Sequence, residues 1–170
     1  MASRQVSRAT ECFAVSWSEP LEATSLAEAD APEIGAFLLR VGHPLRPECE
    51  AGTIEGASFY VTRLFGYHQA DRSYDIALRA STIVRDASSG QVIGVCLVGG
   101  GGGDGQMFSI YDIQVDPARQ RQGIGTNMIK RALYVLAERG VAEFHLWHED
   151  DAPVRAWYER LGFKPTGAVE

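Results

Sequence analysis

The run from Ile110 to Lys130, IYDIQVDPARQRQGIGTNMIK, sets the tightest limit on how this chain can fold. Apolar and polar residues alternate up to Val115 as in a half-buried strand, Asp116-Pro117 makes a turn, Gly123 and Gly125 open a loop, and an amphipathic helix follows. A strand that delivers glycines to a helix start leaves the helix's first N–H groups pointing outward, where the macrodipole adds roughly half a positive charge. An anion suits that position, and Arg119, Arg121 and Lys130 stand near enough to meet further phosphate charge.

A chain of 170 residues is expected to form one domain over residues 1–170, with the polar residues 1–11 a flexible N-terminal segment. Hydrophobic residues at 45% and charged residues at 22% are globular proportions and argue against disorder. No apolar run approaches the roughly 20 residues of a membrane span, and the N-terminus lacks the apolar core of a secretory signal, so no membrane partner and a cytoplasmic location are expected. A net charge of -6 disfavours nucleic acid, which needs a basic face. Cys12, Cys49 and Cys96 lack metal-site spacing, so reduced, buried thiols and no metal are expected.

Phe13, Val15 and Trp17 alternate with smaller residues as a strand would, and Leu21 to Leu26 reads as a further extended segment. Ser25 with Glu28 matches a capping box for a helix carrying Ile34, Phe37, Leu38 and Val41 on one face, stopped by Gly42. A second helix uses Ile54, Phe59, Tyr60, Leu64 and Phe65, a cluster that reads as core or as a wall of a substrate pocket. Ile76–Arg85 and Gln91–Val98 read as two strands of a hairpin, and Gly99–Gly105 as a mobile connector. Met107–Val115 is the next strand, followed by a helix with Ile124, Met128, Ile129, Ala132, Leu133 and Leu136 on one stripe, ended by Gly140. A strand over Phe144–Trp147 and a short helix capped by Asp151 and closed by Gly162 complete the order.

Of the phosphate-binding patterns, the P-loop fails because no Gly-Lys-Ser/Thr follows, and the dinucleotide fingerprint fails because its third glycine falls at Met128. What stands is Val115-Asp116-Pro117 followed by Gln120-Arg121-Gln122-Gly123-Ile124-Gly125, with Trp157-Tyr158-Glu159-Arg160-Leu161-Gly162-Phe163 further on. In these two runs the chain resembles the GNAT superfamily of acetyl-CoA-dependent N-acetyltransferases. The resemblance covers Gln91 to Phe163 and implies an α/β fold of GNAT type: a mixed central sheet, an antiparallel meander followed by a parallel β-α-β unit, and helices on both faces.

It also implies acetyl-CoA as the acyl-donor substrate and a small-molecule or peptide amine as acceptor, attacked directly in a ternary complex. The cofactor-binding residues so implied are Ile113, Gln114 and Val115, whose main chain would bind the pantetheine arm, then Gln120, Arg121, Gln122, Gly123, Ile124, Gly125 and Thr126 around the pyrophosphate, with Asp151 and Tyr158. Tyr158 is the implied proton donor to the departing thiolate. An alkylamine is neutral in only about one molecule per thousand at pH 7, so a base is also needed. Asp112 and Glu149 are the nearest carboxylates, Asp112 the preferred one as base or water-holder, with waters or residues from the first 70 positions as alternatives. His145 and His148 read as packing or surface histidines, and the side on which a bulged strand presents Asp112 stays open.

Where relatives often carry an asparagine, Asp151 stands, and a carboxylate accepts but does not donate. Relatives also commonly continue into one more strand after the position of Phe163. The gap this leaves is expected to be filled by Phe13–Trp17, from the same chain or from the partner in a homodimer. A non-catalytic acyl-CoA-binding sensor or assembly domain is the alternative function.

Overall fold

VIGVCLVGG is apolar enough to be hidden on both faces, and as strand β4 (Val92–Gly100) every one of its residues is buried. The computed structural model describes residues 3–44, 52–66, 73–100, 107–149 and 152–166. Around β4 lie β1 (Ser3–Ala9), β2 (Leu21–Thr24), β3 (Thr82–Asp86), β5 (Phe108–Val115), β6 (Glu143–Glu149) and β7 (Lys164–Pro165). They form one 7-stranded sheet in the order β2-β3-β4-β5-β6-β1-β7. β2 to β5 pair antiparallel, β5 and β6 parallel, and β1 is antiparallel to both β6 and β7. The expected meander and β-α-β unit are both present.

The helices are α1 (Ala31–Arg40), α2 (Ile54–Gly66), α3 (Ser73–Ala80), α4 (Ile124–Glu138) and α5 (Ala152–Arg160). α1 and α2 cover one face, where Ile34, Phe37, Leu38, Tyr60 and Val61 pack on Ile83, Val95 and Leu97. α4 and α5 cover the other, burying Ile124, Met128, Ile129, Leu133, Leu136 and Tyr158 against Cys96, Val98, Phe108 and Phe144. α3 serves both sides, Ala77 and Ala80 joining the second cluster and Tyr74 and Leu78 the first. Among the described residues no helix is long and apolar enough to cross a membrane.

Several local expectations are corrected. The sheet is completed by an N-terminal strand of the same chain, but by Ser3–Ala9, which composition marked as frayed, and not by Phe13–Trp17, which forms no strand. Backbone pairing explains the discrepancy: β1 is held by ladders to β6 and β7, Val6 opposite both Leu146 and Pro165, so one buried apolar residue suffices. Phe13 instead receives the Arg8 guanidinium at 5.1 Å and the Lys130 ammonium at 5.8 Å. Ile76–Ala80 is helical, because the short alternation Ile-Ala-Leu suits either period and Ala77 and Ala80 let a helix approach β4 closely. Ser25 caps nothing; its hydroxyl donates to the Arg79 carbonyl and accepts from Arg131, while Asp30 Oδ2 receives the Ala27 N–H at 2.8 Å. Gly99 and Gly100 belong to β4 rather than to a connector, Cys12 is exposed while Cys96 is buried, and Cys49 and residues 101–105 lie outside the described residues.

If β1 holds the sheet through Val6, Val6→Ala should destabilise the fold by about 2 kcal/mol. The exposed Ala9→Ser on the same strand should stay within about 0.5 kcal/mol. Urea unfolding of both variants checks the contrast.

Candidate functional site

Parallel pairing between β5 and β6 covers Phe108, Ser109 and Ile110 against Phe144, His145 and Leu146, and then stops. Beyond it β5 continues to Val115, bonded to β4 alone among the described residues, so one edge of its main chain faces open space. α5 crosses the far side of that opening. The result is a cleft of about 780 Å³ with Ile113, Gln114 and Val115 on one wall and Pro153, Val154, Trp157 and Arg160 on the other. Its end is closed by Arg119, Gln120, Arg121, Gly123, Ile124, Gly125 and Thr126.

That closure is the glycine loop and the start of α4. Asp116 Oδ1 accepts the Ala118 N–H at 3.0 Å, shaping the turn, and Gln120 Nε2 reaches back to the Val115 carbonyl at 3.3 Å. Gly123 has φ +81°, a left-handed conformation that a side chain would strain, and it caps α4 without a side-chain partner. The first α4 N–H that bonds back is that of Asn127, to the Gly123 carbonyl at 2.9 Å, which leaves those of Ile124, Gly125 and Thr126 directed out of the helix end. Arg121 shares the left-handed region at φ 62°, an uncommon place for a residue with a Cβ. Trp157 Nε1 donates to Thr126 Oγ1 at 3.1 Å and roofs Gly125, where a Cβ would lie 3.2 Å from the indole.

Tyr158 lies behind this roof rather than in the cleft lining. It is 6% exposed, its ring packed against Trp157 at 4.8 Å, His148 at 5.8 Å and Phe163 at 5.8 Å. Burial, with the nearby Cys96 and Asp112, pushes its phenol well above the ordinary value, so it holds its proton across the neutral range.

On the opposite face stands a second polar group. The β4–β5 register shifts between Leu97 and Val98, which face Asp112 and Ile110, so Tyr111 is the extra residue of a β-bulge. The bulge turns Asp112, which is opposite Leu97, toward α1 and α2. Tyr111 lies flat on β4; a Cβ at Gly99 would fall 2.1 Å from its ring. Asp112 Oδ2 accepts from His43 Nε2 at 2.7 Å and from the Tyr60 hydroxyl at 2.9 Å, and Oδ1 from Gln114 Nε2 at 3.0 Å. Burial alone would raise the Asp112 carboxyl, but the His43 bond and charge, with Gln114 and Tyr60, outweigh it and hold the group below its ordinary value. His43 is set in place by the end of α1: its N–H reaches the Leu38 carbonyl at 3.0 Å and that of Gly42 the Leu39 carbonyl at 3.1 Å, the double bond of a Schellman turn around Gly42 at φ 71°.

The cleft thus gathers Ile113, Gln114, Val115, Gln120, Arg121, Gly123, Ile124, Gly125 and Thr126, whereas Gln122 is exposed outside it and Tyr158 and Asp112 sit behind its walls. Lys130 turns to Phe13 instead. Asp151 and the side chain of Glu149 lie outside the described residues. Trp157, Val154, Pro153 and Arg160 were not expected in the lining; their helical spacing in α5 is a signal that could have placed them together. His43 and Tyr60 were missed as partners of Asp112, because nothing in the sequence ties the end of α1 to β5.

The profile of the acetyltransferase (GNAT) domain matches residues 79–165. Mycothiol acetyltransferase of Beutenbergia cavernae is 43% identical over 64 residues, covering 37% of this chain and 22% of that protein. The enzyme of the same name from Catenulispora acidiphila is 39% identical over 67 residues, 39% of this chain and 21% of the relative. The chain therefore spans about a fifth of the length of the curated relatives it matches. Among solved structures, a GCN5-related N-acetyltransferase from Sphaerobacter thermophilus superposes with TM-score 0.67 at 16% identity, over 96% of this chain and 48% of that one. The ribosomal-protein-S5-alanine acetyltransferase of Vibrio fischeri gives 0.66 at 16%, over 91% and 85%. At such identities these two share the fold.

Two outcomes follow from the geometry. Arg121→Gly removes a side chain from a left-handed position that costs about 1–2 kcal/mol, so it should not lower stability and should raise it by up to about 1 kcal/mol in urea unfolding. Asp112 titrates below its ordinary 3.8 in the fold, so its contribution is present above that pH and is lost as acidification carries it through the lowered value. Asp112→Asn should flatten the fall in stability between neutral pH and pH about 3, measured by the same unfolding.

Proposed function

The chain belongs to the GNAT acetyltransferase family, and on that premise we propose that it transfers the acetyl group of acetyl-CoA to a primary amine of a small molecule or peptide, by direct attack in a ternary complex. The observation that carries this reading is the cleft where β5 parts from β6 and ends on the glycine loop. Its dimensions and chemistry suit an elongated ligand with an amide-rich arm and a charged end. The open main-chain edge at Ile113, Gln114 and Val115 would pair with the amides of the pantetheine arm as with an added strand. The outward N–H groups of Ile124, Gly125 and Thr126, with the loop from Gln120 to Gly123 and the Arg121 charge, would take the pyrophosphate. Trp157 forms the apolar wall opposite.

Tyr158 would give its proton to the sulfur as the carbon–sulfur bond breaks; its neutral phenol favours that role. Asp112 is the carboxylate on the acceptor side, and it serves there as an anchored negative charge. The shared names of the mycothiol acetyltransferases do not carry their acceptor to this chain over so short a match. One observation favours the second reading, a non-catalytic acyl-CoA sensor: Tyr158 is not in the cleft lining.

Saturating CoA, at a hundredfold excess over its Kd, should stabilise the protein by about 2.7 kcal/mol in thermal unfolding. Arg121→Gly should weaken CoA binding by about 10-fold in a calorimetric titration. Tyr158→Phe should keep the CoA shift but slow thiol release from acetyl-CoA with an amine panel by about 100-fold. Unchanged turnover removes Tyr158 as the acid, and turnover on none of the amines favours the sensor.

A further inference from the structure

We propose that His43 is the general base of the reaction, taking the amine proton at Nδ1 while Asp112 acts as a positioning residue through Nε2. The inference rests on the acetyl-transfer reading above and assigns to it the base that the sequence left open.

Asp112 is poorly suited to be the base itself. Its two oxygens already accept from His43, Tyr60 and Gln114, and these same donors keep it ionised. An ionised carboxylate 2.7 Å from Nε2 requires a proton on that nitrogen. Nδ1 of the neutral ring then carries a lone pair. That atom is buried and has no hydrogen-bond partner among the described residues. A buried polar atom without a partner is unfavourable, so it calls for an explanation, and a proton arriving during turnover supplies one. The ring is also rigidly presented. The Schellman turn fixes its backbone, and the Tyr60 ring packs beside it at 5.5 Å. The titratable groups that face the imidazole from the described elements are Asp112 of β5 and Tyr60 of α2. The Asp112 charge in turn acts on Cys96 of β4 and on Tyr158 of α5, and both are pushed up. Asp112 thus bonds His43, and its charge is felt by Tyr158.

The proton balance closes. One water admitted with the acceptor relays: it gives a proton to Nδ1 and takes one from the ammonium, whose bonding pair stays on nitrogen and forms the new nitrogen–carbon bond. Tyr158 protonates the sulfur as the carbon–sulfur bond breaks, and the second amine proton replaces the one Tyr158 gave. The imidazolium, paired with Asp112, returns its proton to bulk water.

Two measurements test this. In 15N NMR of the wild-type protein at pH 7, without ligand, His43 should show a proton on Nε2 and an unprotonated Nδ1. The reverse tautomer overturns the assignment whatever a variant does. Kinetics with acetyl-CoA then compare primary alkylamines (ethanolamine, 2-phenylethylamine, glycinamide) with methoxyamine, whose nitrogen is already unprotonated at neutral pH. His43→Gln should lower kcat/KM by about 100-fold on the alkylamines and by less than about 10-fold on methoxyamine, with the alkylamine loss shrinking as pH rises. An equal loss on both classes marks His43 as structural and overturns the proposal, as does no loss on either. If the wild type acetylates none of these amines, the acetyl-transfer reading falls and takes this proposal with it, whereas a wrong tautomer with normal turnover removes His43 alone.

Discussion

A parallel strand pair keeps its ladder only while the two strands stay about 4.8 Å apart, and β5 and β6 hold that spacing for three residue pairs before they separate. The cleft depends on that divergence. It leaves one edge of Ile113–Val115 without a strand beside it, makes room for α5 to cross, and sends the chain from Val115 directly into the loop that opens α4. An unpaired edge of this kind is costly when buried. Here it lines a cleft, where solvent or a ligand can satisfy it.

The bulge at Tyr111 does for the opposite face of the sheet what the divergence does for the cleft. One extra residue in β5 reverses the sidedness of everything after it, so that Ile110 and Ile113 both serve the α4 face while Asp112 and Gln114 turn to α1 and α2. Gly99 permits this, because the Tyr111 ring occupies the space its side chain would need. A buried carboxylate would otherwise be expensive, and three donors from three segments of the chain offset the cost. Asp112 therefore couples the end of α1 and the middle of α2 to the strand that bears the cleft.

The cradle was legible because its chemistry is local. Val115-Asp116-Pro117 and Gln120 to Gly125 encode a turn, a glycine loop and a helix start within consecutive residues, and each appears where the spacing put it. β4 was legible from apolar content alone. The N-terminal strand was not, because Ser-Arg-Gln-Val-Ser-Arg-Ala offers one apolar side chain, and its place is fixed by backbone pairing to strands near the far end of the chain. α3 escaped notice for a related reason: its small residues gain their meaning only from the strand they lie against.

By itself the sequence determined the family, the strand–loop–helix turn that closes the cleft, and the apolar strands and stripes that make the sheet and its covering helices, since these follow from residue type and short-range period. Tertiary structure alone decided which face Asp112 occupies, which side chains bond it, and that Tyr158 sits behind Trp157 rather than beside it in the cleft. A bulge inverts the period of a strand without leaving a mark in composition, and hydrogen bonds from His43 and Tyr60 to Asp112 join residues far apart in the chain. Only packing brings such groups within reach.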